Sequence, residues 1–138
     1  MDKDFLLGYK DTVADEGITL KIDPNDRGGQ TWKGISRVMN PNCDIWPLID
    51  AHLKAKHGIA EFKADAELER RVQQFYYNEF WLKLRLNEIK SLHIKLKYFN
   101  TAVNVGLGPA TKFQQESVQL ATTGHVDTSL INALNSVV

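Results

Sequence analysis

The chain has 138 residues, of which 43% are apolar and 25% charged, with 17 basic and 17 acidic side chains. This length suits one hydrophobic core with at most a small appended lobe, and excludes a second full domain. Zero formal charge speaks against a nucleic-acid binder, whose affinity rests on a basic surplus, and no apolar stretch approaches the ~20 residues that span a bilayer.

The start, Met1-Asp2-Lys3-Asp4, has neither the basic region nor the apolar run of a signal peptide, so synthesis in the cytoplasm is expected. Residues 3–16 read as a helix, with Phe5, Leu6, Tyr9 and Val13 at helical spacing and Gly17 as its stop. Glu16 then falls at the helix C-terminus, where the helix dipole disfavours a carboxylate charge. Residues 18–43 are the least helical part. Thr19-Leu20-Lys21-Ile22 alternates like a short strand, a turn cluster rich in Asp, Pro, Asn and Gly follows, and Gly34-Ile35-Ser36 closes the stretch. A small hairpin or irregular lobe is expected there.

Helical signals dominate the remainder. Asp44 is read as the cap of a helix running to His57 and stopped by Gly58, with Ile45, Leu48, Ile49, His52 and Leu53 as its stripe. Asp65 is read as the cap of the next, where Leu68, Val72, Phe75, Tyr76, Phe80 and Trp81 form a stripe to about residue 83. A third helix spans roughly 91–105 on Leu92, Leu96, Phe99 and Val103; a fourth opens at Pro109 and ends near Gly124; Asp127 caps a last one. The predicted architecture is mainly α with one small β lobe.

Cleavage of a glycosidic bond needs a carboxylic acid that protonates the departing oxygen, commonly with a second carboxylate that activates water or stabilises the charged ring. The acid must hold its proton near neutral pH, which suits a partly desolvated helix end. Glu16 meets that description. Asp26 stands ten residues on in a turn able to fold back toward it, and Thr31 fifteen residues on. Each has an ordinary alternative: a surface carboxylate for Glu16, backbone bonding in a turn for Asp26, loop bracing for Thr31.

Val13-Ala14-Asp15-Glu16-Gly17, then Asp23-Pro24-Asn25-Asp26-Arg27-Gly28-Gly29-Gln30-Thr31 and Gly34-Ile35-Ser36, resemble glycoside hydrolase family 108. These bacterial and phage N-acetylmuramidases carry Glu-Gly-Gly, then Asp-Pro-x-Asp-x-Gly-Gly-x-Thr, then Gly-Ile-Thr. Tyr76, Phe80 and Trp81 resemble the family's Tyr-x-x-x-Tyr-Trp helix, and Phe99-Asn100-Thr101-Ala102-Val103-Asn104-Val105-Gly106 its Phe-Asp-x-Ala-Val-Asn-x-Gly segment. Residues 109–136 resemble the peptidoglycan-binding region that closes many members, in degenerate form.

The resemblance implies a lysozyme-like α fold and cleavage of the β-1,4 bond between N-acetylmuramic acid and N-acetylglucosamine. Glu16 would be the general acid, with Asp26 and Thr31 positioning water or stabilising charge. It divides the chain into a muramidase part, 1–90, and a helical part, 91–138, packed into the same globule. The implied partner is the peptidoglycan strand, met in the periplasm or wall by a monomer after holin-like or other non-classical export; no cofactor is implied. Ile18 stands where the family has a second Gly, and Ile adopts positive φ far less readily. That departure keeps a second reading open, a wall-binding or secretion-assisting protein of the same fold without turnover.

Other features carry less. Tyr76 and Asn104 are candidates for sugar contact, a hydroxyl-bearing aromatic and a polar residue in an apolar helix. The lone Cys43 allows no intrachain disulfide and reads as a small hydrophobe. A calcium loop starting at Asp23 fails because Arg27 and Gly34 occupy positions that need oxygen ligands, and the four histidines lack zinc-ligand spacing. Lys83, Arg85, Lys90, Lys95 and Lys97 form a basic run, read as a solvated face.

Overall fold

Asp2 takes the amide protons of Asp4 and Phe5 on its carboxylate, at 2.7 and 3.3 Å, and so starts the first helix, α1 (Lys3–Tyr9). In the computed structural model, which describes residues 1–14 and 30–137, α1 widens into a π turn over Lys10–Ala14. The expected stop at Gly17 and the short strand Thr19–Ile22 lie outside the described residues. The chain falls into two units, one of Met1–Thr12 with Tyr76–Val138, the other of Val13–Phe75.

The second unit holds the β lobe. Strands β1 (Thr31–Trp32) and β2 (Ile35–Ser36) pair antiparallel, Thr31 with Ser36 and Trp32 with Ile35. Lys33 and Gly34 form the two-residue turn, both at positive φ (46° and 81°), the geometry whose twist matches a hairpin. Helices α2 (Trp46–Lys54), α3 (Ile59–Ala64) and the body of α4 (Ala66–Tyr76) complete this unit.

Asp44 does not cap α2. Ile45 stands at the N-cap without any side-chain bond, and Pro47 in the first turn removes one of the amides a cap would serve. Gly58 is not a stop either but opens α3, where the Glu61 carboxylate takes its amide at 2.8 Å. Six residues are too few for a helical stripe to show, so α3 was not expected. Asp65 does cap α4, accepting from the Leu68 amide at 3.0 Å.

Beyond Tyr76 the helix widens again into a π turn, Tyr77–Trp81, closed by the Leu82 amide on the Tyr77 carbonyl at 2.9 Å. The buried positions along this helix are 68, 72, 76 and 81. The last step is five rather than four, and a π turn adds the one residue that keeps Trp81 inside. A 3₁₀ turn, Leu86–Glu88, leads to α5 (Leu92–Val105), α6 (Leu107–Ser117) and α7 (Thr128–Asn135).

Ser91 caps α5 and Asp127 caps α7, while α6 ends at Ser117, short of the expected Gly124. The core face of α5 is rotated from its apolar stripe. Leu92 is exposed, whereas Lys95, Tyr98, Phe99 and Ala102 are buried. Two polar tips make this possible: the Lys95 ammonium meets Asp4 of α1 at 2.6 Å, and the Tyr98 hydroxyl meets Thr111 of α6 at 2.6 Å. A Cβ on Gly8 would come within 3.1 Å of Phe99, so the lack of a side chain there lets α1 approach α5. The architecture is mainly α with a two-stranded sheet, as expected.

Candidate active site

Thr31 belongs to the hairpin unit. Trp32 and Ile35 are buried, so Thr31 and its cross-strand partner Ser36 share the opposite, half-buried face. Four contacts hold the hairpin. Lys33 pairs with Glu69 of α4 at 2.6 Å; Arg37, just past β2, forms a two-pronged pair with Asp50 of α2 at 2.7 and 2.9 Å. The Arg37 guanidinium also lies 5.3 Å above the Trp46 ring, and the Trp32 ring lies 5.3 Å from that of Phe62 in α3. Hydrogen bonding to Arg37 holds the Asp50 carboxyl below its ordinary range, and the guanidinium is raised in return.

Behind Phe62 stands a polar cluster of the same unit. His52 places Nε2 2.7 Å from the Asp65 carboxylate and Nδ1 2.9 Å from Nδ1 of His57, with its ring 4.7 Å from Phe62. The bond from His52, then the amide of Leu68, hold the Asp65 carboxyl below its usual range.

Tyr76 and Asn104 belong to the other unit. Tyr76 is only 3% exposed, its ring 5.5 Å from Phe80 in a stacked arrangement and 6.2 Å from Tyr9. That packing presents little of the ring to a sugar. Asn104 is exposed on the last turn of α5, and its amide nitrogen donates to the Asn100 carbonyl at 2.8 Å and to the Asn100 side-chain oxygen at 3.2 Å. Asn100 in turn donates to Thr12 Oγ1 at 3.1 Å.

Glu16 and Asp26 lie outside the described residues. Two residues stand beside the predicted ones: Ser36, given by the two-residue turn that makes it Thr31's partner, and Asn100, one helical turn before Asn104. Thr12 carried no sequence signal, since its bond to Asn100 spans 88 positions.

The basic run does not form one patch. Lys83 pairs with Glu79, Arg85 with Glu88 and Lys95 with Asp4. Among the described residues, no cluster of three or more His, Cys, Asp and Glu is arranged to hold a metal, and no helix is long and apolar enough to cross a membrane. Two cavities in the unit that holds α5 to α7, of about 410 and 250 Å³, include none of Thr31, Tyr76 and Asn104 in their walls.

The glycosyl hydrolase 108 family matches residues 9–106. The chain belongs to that family. The match takes in Glu16, Asp26, Thr31, Tyr76 and Asn104 together. The fold is similar to the structure of SagA from Brucella abortus, with a TM-score of 0.64 over 97% of this chain and 70% of that one, at 17% sequence identity. No curated protein matches the sequence. Membership supports a glycoside hydrolase with peptidoglycan as the fitting substrate, and a peptidoglycan-acting family implies a site of action at the cell wall or periplasm.

Proposed function

We propose that the chain is an N-acetylmuramidase that cleaves the β-1,4 bond between N-acetylmuramic acid and N-acetylglucosamine. The family match across residues 9–106 carries this reading, because it spans every residue the chemistry requires. Glu16 donates a proton to the departing sugar oxygen, and Asp26 with Thr31 positions water or stabilises the oxocarbenium-like ring. The hairpin supports Thr31's part, since four separate contacts hold the hairpin that bears it, one of them from Trp32 of its own strand.

Asn104 contacts substrate. Its amide nitrogen is engaged by Asn100, so the exposed side chain offers its oxygen to a donor such as the N–H of an N-acetyl group. Catalysis is assigned to residues 1–90 and wall association to 91–138; the protein acts as a monomer, exported by a holin-like or other non-classical route.

The test is mass spectrometry of digested sacculi with the parent and Glu16→Gln, which keeps the shape and removes the acid. Reducing muramic acid ends from the parent alone support the reading. Equal release by the variant sinks it. Ile18 favours a second reading, in which the chain binds sacculi without releasing reducing ends; turnover by the parent would exclude it.

A further inference from the structure

The larger of the two cavities in the unit of α5 to α7, about 410 Å³, lies between those three helices. Its volume falls in the range of small-molecule sites, roughly 300–1,000 Å³. Ile94 of α5 and Leu134 of α7 give it apolar walls, and Leu134 is buried. At its mouth stand Phe113 of α6, 56% exposed, and Val137 just past α7, 54% exposed. Two large apolar side chains left half in water beside one hollow mark a place where an apolar body gains by burial.

The polar groups around the hollow define what that body carries. His93, Lys97 and Thr101 recur at four-residue steps and so line one ridge of α5. The Thr101 hydroxyl donates to the Lys97 carbonyl at 2.8 Å, and the Ser117 hydroxyl to the Gln114 carbonyl at 2.6 Å. Both hydroxyls are thereby turned back on their own helices. Among the described residues, neither the Lys97 ammonium nor the His93 ring has a bonding partner, and no Asp or Glu lines the cavity. The uncompensated charge at the hollow is positive, and its complement is an anion. A peptide would bring amides that need hydrogen bonds, and with both hydroxyls spent the walls leave them few partners. A hydrocarbon chain asks for none.

We propose that this cavity binds a small amphipathic carboxylate, an unbranched hydrocarbon chain ending in an acid group. The chain lies against Ile94, Phe113, Leu134 and Val137, and the carboxylate meets Lys97 with His93 beside it. None of Thr31, Tyr76 and Asn104 lines the cavity, so occupancy does not depend on glycan cleavage.

The experiment titrates the full chain with octanoate, octanol and octyltrimethylammonium, each kept below micelle formation, at low salt. Calorimetry gives the affinity and backbone amide NMR the location. Octanoate is expected to shift amides of α5, α6 and α7 saturably, with a Kd below about 1 mM and about fivefold tighter than octanol. The cation binds weakest. Lys97→Gln brings octanoate within about twofold of octanol, and Phe113→Ser weakens both by about threefold or more. Both side chains are exposed, so neither change opens the core, and an unchanged thermal midpoint checks that the fold is kept. Equal affinity of the parent for octanoate and octanol, a preference that survives Lys97→Gln, or shifts confined to other elements overturns the proposal. So does a leucine-ended hexapeptide that outcompetes octanoate, which would make the hollow a peptide site. A response to anionic phospholipid vesicles alone, the mark of a membrane contact, overturns it equally.

Discussion

The unit containing α1 and α5 to α7 carries a larger cluster of packed aromatic rings, whereas the hairpin of the other unit, besides the Trp32–Phe62 contact, is tied by charged pairs. In the first, Phe5 meets Tyr77, Trp81 and Phe99 edge to face, with ring centroids 5.1, 5.5 and 5.8 Å apart. The indole N–H of Trp81 is satisfied by Asn87 at 2.8 Å, and Asn87 donates to the Tyr77 hydroxyl at 3.1 Å. In the second, Lys33–Glu69, Arg37–Asp50 and His52–Asp65 each join separate stretches of chain. Buried rings supply stabilisation that is indifferent to pH. Ion pairs and histidines supply placement, at the cost of sensitivity to protonation. One unit is thus built to persist and the other to hold a two-residue strand in register.

The largest effect that would break this contrast is expected at Trp81. Trp81→Ala removes a fully buried ring and leaves Asn87 without its donor, so a loss of about 3–5 kcal/mol in denaturant unfolding is predicted. A loss below about 1 kcal/mol would show that the aromatic interlock is not what holds that unit. Next comes Lys33→Met, which takes away the ammonium that meets Glu69. Its side chain is largely buried and its partner about one-third exposed, so a loss of about 1–2 kcal/mol is predicted, together with reduced turnover on sacculi. Unchanged turnover would separate the hairpin's stability from its function.

Asp65 ties part of the hairpin unit's stability to pH. Its carboxyl is held below the ordinary value in the folded chain, so its contribution is present above the unfolded value and is lost as pH falls through the folded one. Asn in its place can still accept from the Leu68 amide and keeps the cap. The thermal midpoint of Asp65→Asn should therefore lie a few degrees below the parent near neutrality and converge with it as the solution is acidified below the carboxylate range. A constant gap would show that the charge contributes nothing. The smallest effect belongs to Glu67. Its carboxyl is drawn down to about 2 by Arg70 and Arg71, yet it is fully exposed, and Glu67→Gln should leave the thermal midpoint unchanged.

Much of this was legible in the chain. Asp65 and Asp127 stand where caps are needed, and a small hairpin or irregular lobe was expected somewhere in residues 18–43, although its strands, Thr31–Trp32 and Ile35–Ser36, were not. The stripe containing Tyr76, Phe80 and Trp81 was legible, but not that Trp81 alone of the last two is buried, which follows from the π turn closed by the Leu82 bond. What stayed hidden depends on distant partners. Hydrophobic spacing placed Leu92 inward and Lys95 outward, because nothing near Lys95 in sequence announces Asp4, 91 positions away. Asn104 was legible as a polar residue on an apolar helix; its bond through Asn100 to Thr12 was not. Glu16 and Asp26 were singled out by chemistry, spacing and resemblance alone, and both lie outside the described residues.

The proposed reading has this family 108 chain cutting glycan strands with Glu16 as its acid. Mass spectrometry of sacculi treated with the parent and with Glu16→Gln tests it most directly. Soluble products with reducing muramic acid ends are expected from the parent, with release slowed by at least about a hundredfold in the variant. Reducing glucosamine ends, cut peptide stems, or equal release by both proteins would contradict it.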